Sequence, residues 1–145
     1  MPIYFRNTPV TMPFMFDSVG NHWYQESMQR PNGHPHYHYL QTEKGRGRIE
    51  IRGKHYILEE QEGILIAPSV PHSYTKESEE WDTVFATFTG TLSSGISSIL
   101  QNQSVVFVSK KQGCLIEHII SGAVSEFQKS IPDMKVLSAL CYDLL

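Results

Sequence analysis

Near residue 90 the chain changes its hydrophobic rhythm, and that change limits the folds open to it. Before the break lie six of the seven histidines and seven of the eight prolines, among short apolar runs. Arg48-Ile49-Glu50-Ile51-Arg52 alternates polar and apolar side chains, the pattern of a strand with one buried face. Gly53-Lys54 then turns the chain into His55-Tyr56-Ile57-Leu58, which predicts a hairpin. Ile64-Leu65-Ile66-Ala67 is an apolar run stopped by Pro68, and the stretches 81–89, 20–29 and 35–42 also read as strands. Many short strands at this spacing predict a sandwich or barrel.

After Gly90 the period becomes helical. Residues 92–100 predict a short helix, and Val105-Val106-Phe107-Val108 one more strand or a buried connector. Leu115, Ile116, Ile119, Ile120, Ala123, Val124 and Phe127 recur at helix spacing. Pro132-Asp133 ends that helix and offers Asp133 as the N-cap of the next. The last helix carries Val136, Leu137, Leu140, Cys141, Leu144 and Leu145 on one face and has no stop signal, so the expectation is a chain cut before a further region.

The totals exclude several classes. A length of 145 residues suits one domain, and 40% hydrophobic with 19% charged residues is an ordinary globular balance. A net charge of −3 argues against a free-standing nucleic-acid binder. No apolar run approaches the ~18 residues of a membrane span, and MPIYFRNTPV lacks the layout of a signal peptide. Cys114 and Cys141 read as core thiols of a reducing compartment. These features predict a cytoplasmic protein. Lys44, Arg46, Arg48, Arg52 and Lys54 read as a solvated strand edge.

Four elements, in order, carry a resemblance. They are Arg30-Pro31-Asn32-Gly33; Gly45-Arg46-Gly47 with the strand and turn to Gly53; Ala67-Pro68-Ser69-Val70-Pro71-His72-Ser73-Tyr74; and Trp81, Phe85 and Phe88-Thr89-Gly90. Together they resemble the sensor domain of the AraC/XylS family of transcriptional regulators. One departure is Gln61-Glu62, where the family has Gly-Asp. The resemblance implies a mainly β fold: a cupin-like double-stranded β-helix, or jelly-roll barrel, followed by two or three helices. On this reading residues 1–90 form the barrel, with an N-terminal arm at 1–16. Residues 91–145 form a helical dimerisation region. Such domains bind a small effector, often a sugar, inside the barrel, need no cofactor, pair through the following helices, and leave DNA to a separate C-terminal region. The arm, rich in proline, either folds over the effector or forms an edge strand.

The candidate pocket residues follow. His34, His36 and His38 share parity on one strand face, and they read as barrel-mouth hydrogen bonders, ligand contacts or metal ligands. Arg30 matches a ligand-contacting arginine of the family; five fixed donors suit vicinal hydroxyls or a carboxylate, although a turn-closing role fits as well. Trp23 falls where the resemblance places an aromatic against a sugar face, with core packing as the alternative. His72 and Tyr74 both donate and accept. Thr83 and Phe85 match a pocket-lining pair, and plain core packing suits Phe85 too. For dimerisation the stripe Leu137, Leu140, Cys141 and Leu144 is expected to bury against a second copy, or else against its own barrel.

The rival is a metal-dependent cupin enzyme. His36, His38, Glu43 and His72 follow the order of such ligands, and imidazole with carboxylate suits a transition metal. Glu43 lies five residues beyond His38, which a regular strand sends to the opposite face unless a bulge intervenes.

Overall fold

A computed structural model describes residues 3–5, 13–91, 95–129 and 132–144. The strands are β1 (Ile3–Phe5), β2 (Met15–Tyr24), β3 (Met28–Arg30), β4 (Tyr37–Ile51), β5 (Lys54–Leu58), β6 (Gly63–Ile66), β7 (His72–Thr89) and β8 (Val105–Val108). The helices are α1 (Ile96–Ile99), α2 (Lys110–Phe127) and α3 (Met134–Leu144). The sheet order is β1-β2-β7-β4-β6-β8, with β3 also on β7 and β5 also on β4.

Two long strands explain the barrel. The first part of β4, residues 37–44, pairs with β6 and with the last part of β7; its end, 47–51, pairs with β5 and with the start of β7. Register shifts at Thr42/Lys44 and Gly45/Gly47 bend the ladder between these parts. Gly47 is needed at the bend, because a Cβ there would overlap the Trp81 indole. Each long strand therefore serves two half-sheets that face each other. Leu40, Ile64, Ile66 and Phe85 from one half pack with Ile49, Ile51, Leu58 and Tyr74 from the other. This is the expected cupin-like jelly roll. Arg52 and Gly53, both at positive φ, make the hairpin turn into β5, one residue earlier than the sequence suggests.

A second core lies on the outer face of the sheet. Tyr37, Tyr39, Val84, Ala86 and Phe88 meet Ile120, Ala123 and Val124 of α2 and Leu137, Cys141 and Leu144 of α3. Here the dimerisation stripe needs correction. Leu137 and Cys141 are fully buried and Leu144 nearly so within this one chain, while Leu140 packs partly against the same core. An apolar sheet face of this size requires a cover, and α3 supplies it. The Ser138 hydroxyl bonds the Phe14 carbonyl at 2.5 Å, and Asp133 Oδ1 caps α3 by accepting from Lys135 and Val136 N–H at 2.9 and 3.3 Å.

Other readings also shift. Val105–Val108 is a strand, one of the two alternatives expected there, and as β8 it adds an edge against β6, so the sheet extends past residue 90. Runs 35–42 and 48–52 are two ends of the single strand β4, and β7 starts at His72 instead of residue 81. Cys114 is exposed and only Cys141 is a core thiol, its pKa pushed up to about 12 by burial. Of the arm, β1 is an edge strand on β2; residues 1–2 and 6–12 lie outside the described residues, as do 92–94 of the predicted helix and Leu145.

Candidate ligand-binding site

Between the half-sheets, near the β3 edge, is a hollow of about 190 Å³. Ser18, Trp23, Gln25, Met28, Arg30, His34, His38, Tyr74, Phe85 and Thr87 line it. Strand registers put them there. Arg30 pairs with His72 and Met28 with Tyr74 across β3 and β7. His38 pairs with Thr87, and Leu40 with Phe85, across β4 and β7. On β7 the odd-numbered Thr83, Phe85 and Thr87 face the barrel interior, while Val84, Ala86 and Phe88 face the helices.

The turn after β3 aims the next group. Gly33 N–H donates to the Arg30 carbonyl at 3.0 Å, so the backbone of Arg30 closes the turn and its side chain is left for the hollow. Gly33 sits at φ 72 under the Ser69–Val70 backbone, where a Cβ would collide. His34 follows, and its carbonyl accepts from Ser69 N–H at 2.9 Å, tying the turn to the loop that precedes His72.

The polar atoms are unusual. Arg30 Nε, His38 Nδ1 and His72 Nε2 are buried without a hydrogen-bond partner. Fixed neighbours set two tautomers. His72 Nδ1 lies 2.8 Å from the Val70 carbonyl, which can only accept, so Nδ1 carries the proton and Nε2 is a bare acceptor. His34 Nδ1 accepts from the His36 N–H at 3.0 Å, so in the neutral ring the proton is on Nε2. Burial, then the charges of Arg30 and His36, push His34 down to about 4. Burial first, then His34, Arg30 and His72, hold His38 well below the usual imidazole value. His72 is lowered by burial against its Val70 bond. The three rings are thus neutral near pH 7, around one permanent guanidinium. Arg30 also hydrogen-bonds Tyr74, whose own pKa burial raises. Trp23 and Phe85 meet edge to face at 6.1 Å, forming an apolar wall.

A family model described as the AraC-like ligand binding domain matches residues 16–124. The chain belongs to this family. No curated protein sequence matches it. Among solved structures, the AraC-like domain resembles the AraC-like transcriptional activator CuxR, at 13% identity and a TM-score of 0.60, over 98% of this chain and 57% of that one. It also resembles apo ToxT from Vibrio cholerae, at 10% identity and a TM-score of 0.57, over 92% of this chain and 54% of that one. At these identities the likeness is one of fold. The AraC-like domain spans little more than half the length of either protein.

The structure brings Trp23, Arg30, His38, Tyr74 and Phe85 together around the hollow. His72 adjoins them, its ring 5.9 Å from that of His38. Thr83 is fully buried behind the wall and donates to Gln25 Oε1 at 3.1 Å, supporting a lining residue without being one. His36 is a correction. It opens on a separate surface pocket with Tyr37 and Phe88, its Nε2 3.9 Å from Asp17. Strand β4 begins only at Tyr37, so the alternation of faces does not extend back to residue 36. His34, reached through the bend, takes the place expected of His36. Parity had grouped these histidines, but it could not show which of them the bend would turn inward. Gln25, Ser18, Thr87 and Met28 carried no motif; only the pairing of β2, β3 and β7 reveals them.

The metal set does not assemble. Glu43 is engaged by His22 at 2.7 Å, and His36 lies outside the hollow. Among the described residues no group of three or more His, Cys, Asp or Glu side chains is placed to share an ion.

Proposed function

We propose that this domain is the sensing part of a transcriptional regulator, binding a small polar effector, a sugar or a related molecule, in the barrel hollow and doing no chemistry on it. One observation carries the reading: Arg30 Nε and His38 Nδ1 are buried and unpartnered in the hollow bounded by the Trp23–Phe85 wall, with His72 Nε2, also unpartnered, adjoining. Leaving a buried polar atom unsatisfied costs ~1–3 kcal/mol, so a guest that bonds these atoms is strongly favoured. An apolar wall with a few convergent polar groups is the usual make-up of a small-molecule site.

Binding shifts the domain between arrangements, and that shift reaches a DNA-binding region encoded outside these residues. Pairing with a second copy through the helices belongs to the same proposal. It must use their outward residues, such as Leu115 on α2 and Tyr142 on α3, because the α3 stripe is spent inside. A cytoplasmic location fits this role; no helix among the described residues is long and apolar enough to cross a membrane.

A thermal-shift screen against carbohydrates and their acids tests the proposal, since a bound guest raises apparent stability by mass action. Arg30→Ala is expected to abolish the shift while the ligand-free melting point holds. Unchanged affinity would remove Arg30 from the site. Stoichiometric metal together with turnover of a small substrate would replace sensing by catalysis.

A further inference from the structure

The hollow holds one fixed positive charge and no matching negative one. Arg30 forms no ion pair with a carboxylate among the described residues. Asp17 of β2 lies beside His36 and its charge reaches His34, raising that ring's pKa against the larger lowering effects, but it is not among the lining residues. The other groups facing Arg30 and His38 are His34 from the turn and His72 and Tyr74 from β7, all neutral when the imidazoles are unprotonated. A guanidinium whose Nε–H is buried without an acceptor is short of both a hydrogen bond and a charge.

We infer that the guest of this hollow is a small hydroxylated monocarboxylate of the sugar-acid type, its carboxylate on Arg30 and the Nε2–H of His34 and a hydroxyl bonded to His38 Nδ1. The inference rests on the sensing reading above and specifies its ligand. The donor and acceptor pattern favours this class over the neighbouring ones. A neutral sugar satisfies His38 but leaves the guanidinium unmatched. A phosphate dianion brings a second charge that one cation does not balance. Charge-assisted bonds from arginine to carboxylate are about twice as strong as neutral ones, and the enclosed setting strengthens them further. A hollow of about 190 Å³ limits the guest to a monomer-sized molecule. Trp23 and Phe85 offer the face on which its carbon skeleton lies.

The test is calorimetric titration of the chain with two matched pairs, galacturonate against galactose and gluconate against sorbitol. Each pair differs at one terminal carbon, carboxylate against hydroxymethyl. The acid of at least one pair is expected to bind about tenfold or more tightly than its neutral mate. Arg30→Gln is expected to erase that preference, and Arg30→Lys to keep part of it, with the ligand-free melting point of each variant showing that it is folded. Equal binding of acid and neutral mate overturns the carboxylate and leaves sensing in place. A preference that survives Arg30→Gln overturns this site for it. Absence of binding by all four compounds overturns the inference, while the sensing reading stands or falls by the thermal-shift screen.

Discussion

His34 is kept neutral by its surroundings, and that has a measurable cost in acid. Its folded value is about 4 against an ordinary 6.5, so between these limits the unfolded chain holds the extra proton. The group's contribution is complete above pH 6.5 and is lost as pH falls toward 4. His38 and His72 act in the same sense. Melting temperature is therefore expected to fall across this window, and His34→Gln to flatten the fall; a melting series by pH checks both. A carboxylate guest favours the charged imidazole, so binding should take up a fraction of a proton, visible as a binding heat that depends on the buffer's ionisation enthalpy. The chemistry of the residues was legible in the sequence to this extent: a histidine-rich strand, an arginine and aromatics near one another. Their aim was not, because a bend of two residues before Tyr37 decides which imidazole enters.

At the scale of elements, α3 is the informative case. Its apolar stripe was readable, but periodicity shows only that a face must be buried, not against what. Two variants separate the possibilities. Leu137→Ala is expected to destabilise the chain by ~2–5 kcal/mol, as a fully buried leucine does, read by urea denaturation. Leu115 is 65% exposed, so Leu115→Lys is expected to change stability by no more than about 0.5 kcal/mol. If α2 pairs with a second copy there, it also lowers the mass found by sedimentation. Asp133→Ala removes the α3 cap and is expected to cost ~1 kcal/mol. Turns and caps were the easiest features to foresee, since Asp133 and Gly53 act through their own backbone neighbourhood. The length of β7 was hidden because 76–80 is charged and polar, which reads as a loop until β4 is seen to pair with β7 on both sides of 77–80.

The whole molecule has two cores with one layer between them. The change of rhythm at Gly90 foretold strands first and amphipathic helices after, but not that the helices would cover the sheet and close a second core. What did not follow is that β4 and β7 each belong to both halves, since long-range pairing leaves no local mark. Their place has a mechanical consequence. Phe85 touches the hollow, while Val84 and Ala86, its immediate neighbours along the chain, lie under α2 and α3. Guest and helices are thus divided by a partition a single polypeptide thick. A nudge of a fraction of an ångström at Phe85 arrives at the cover without any relay of loops, so amide exchange in α2 should slow when the hollow is filled.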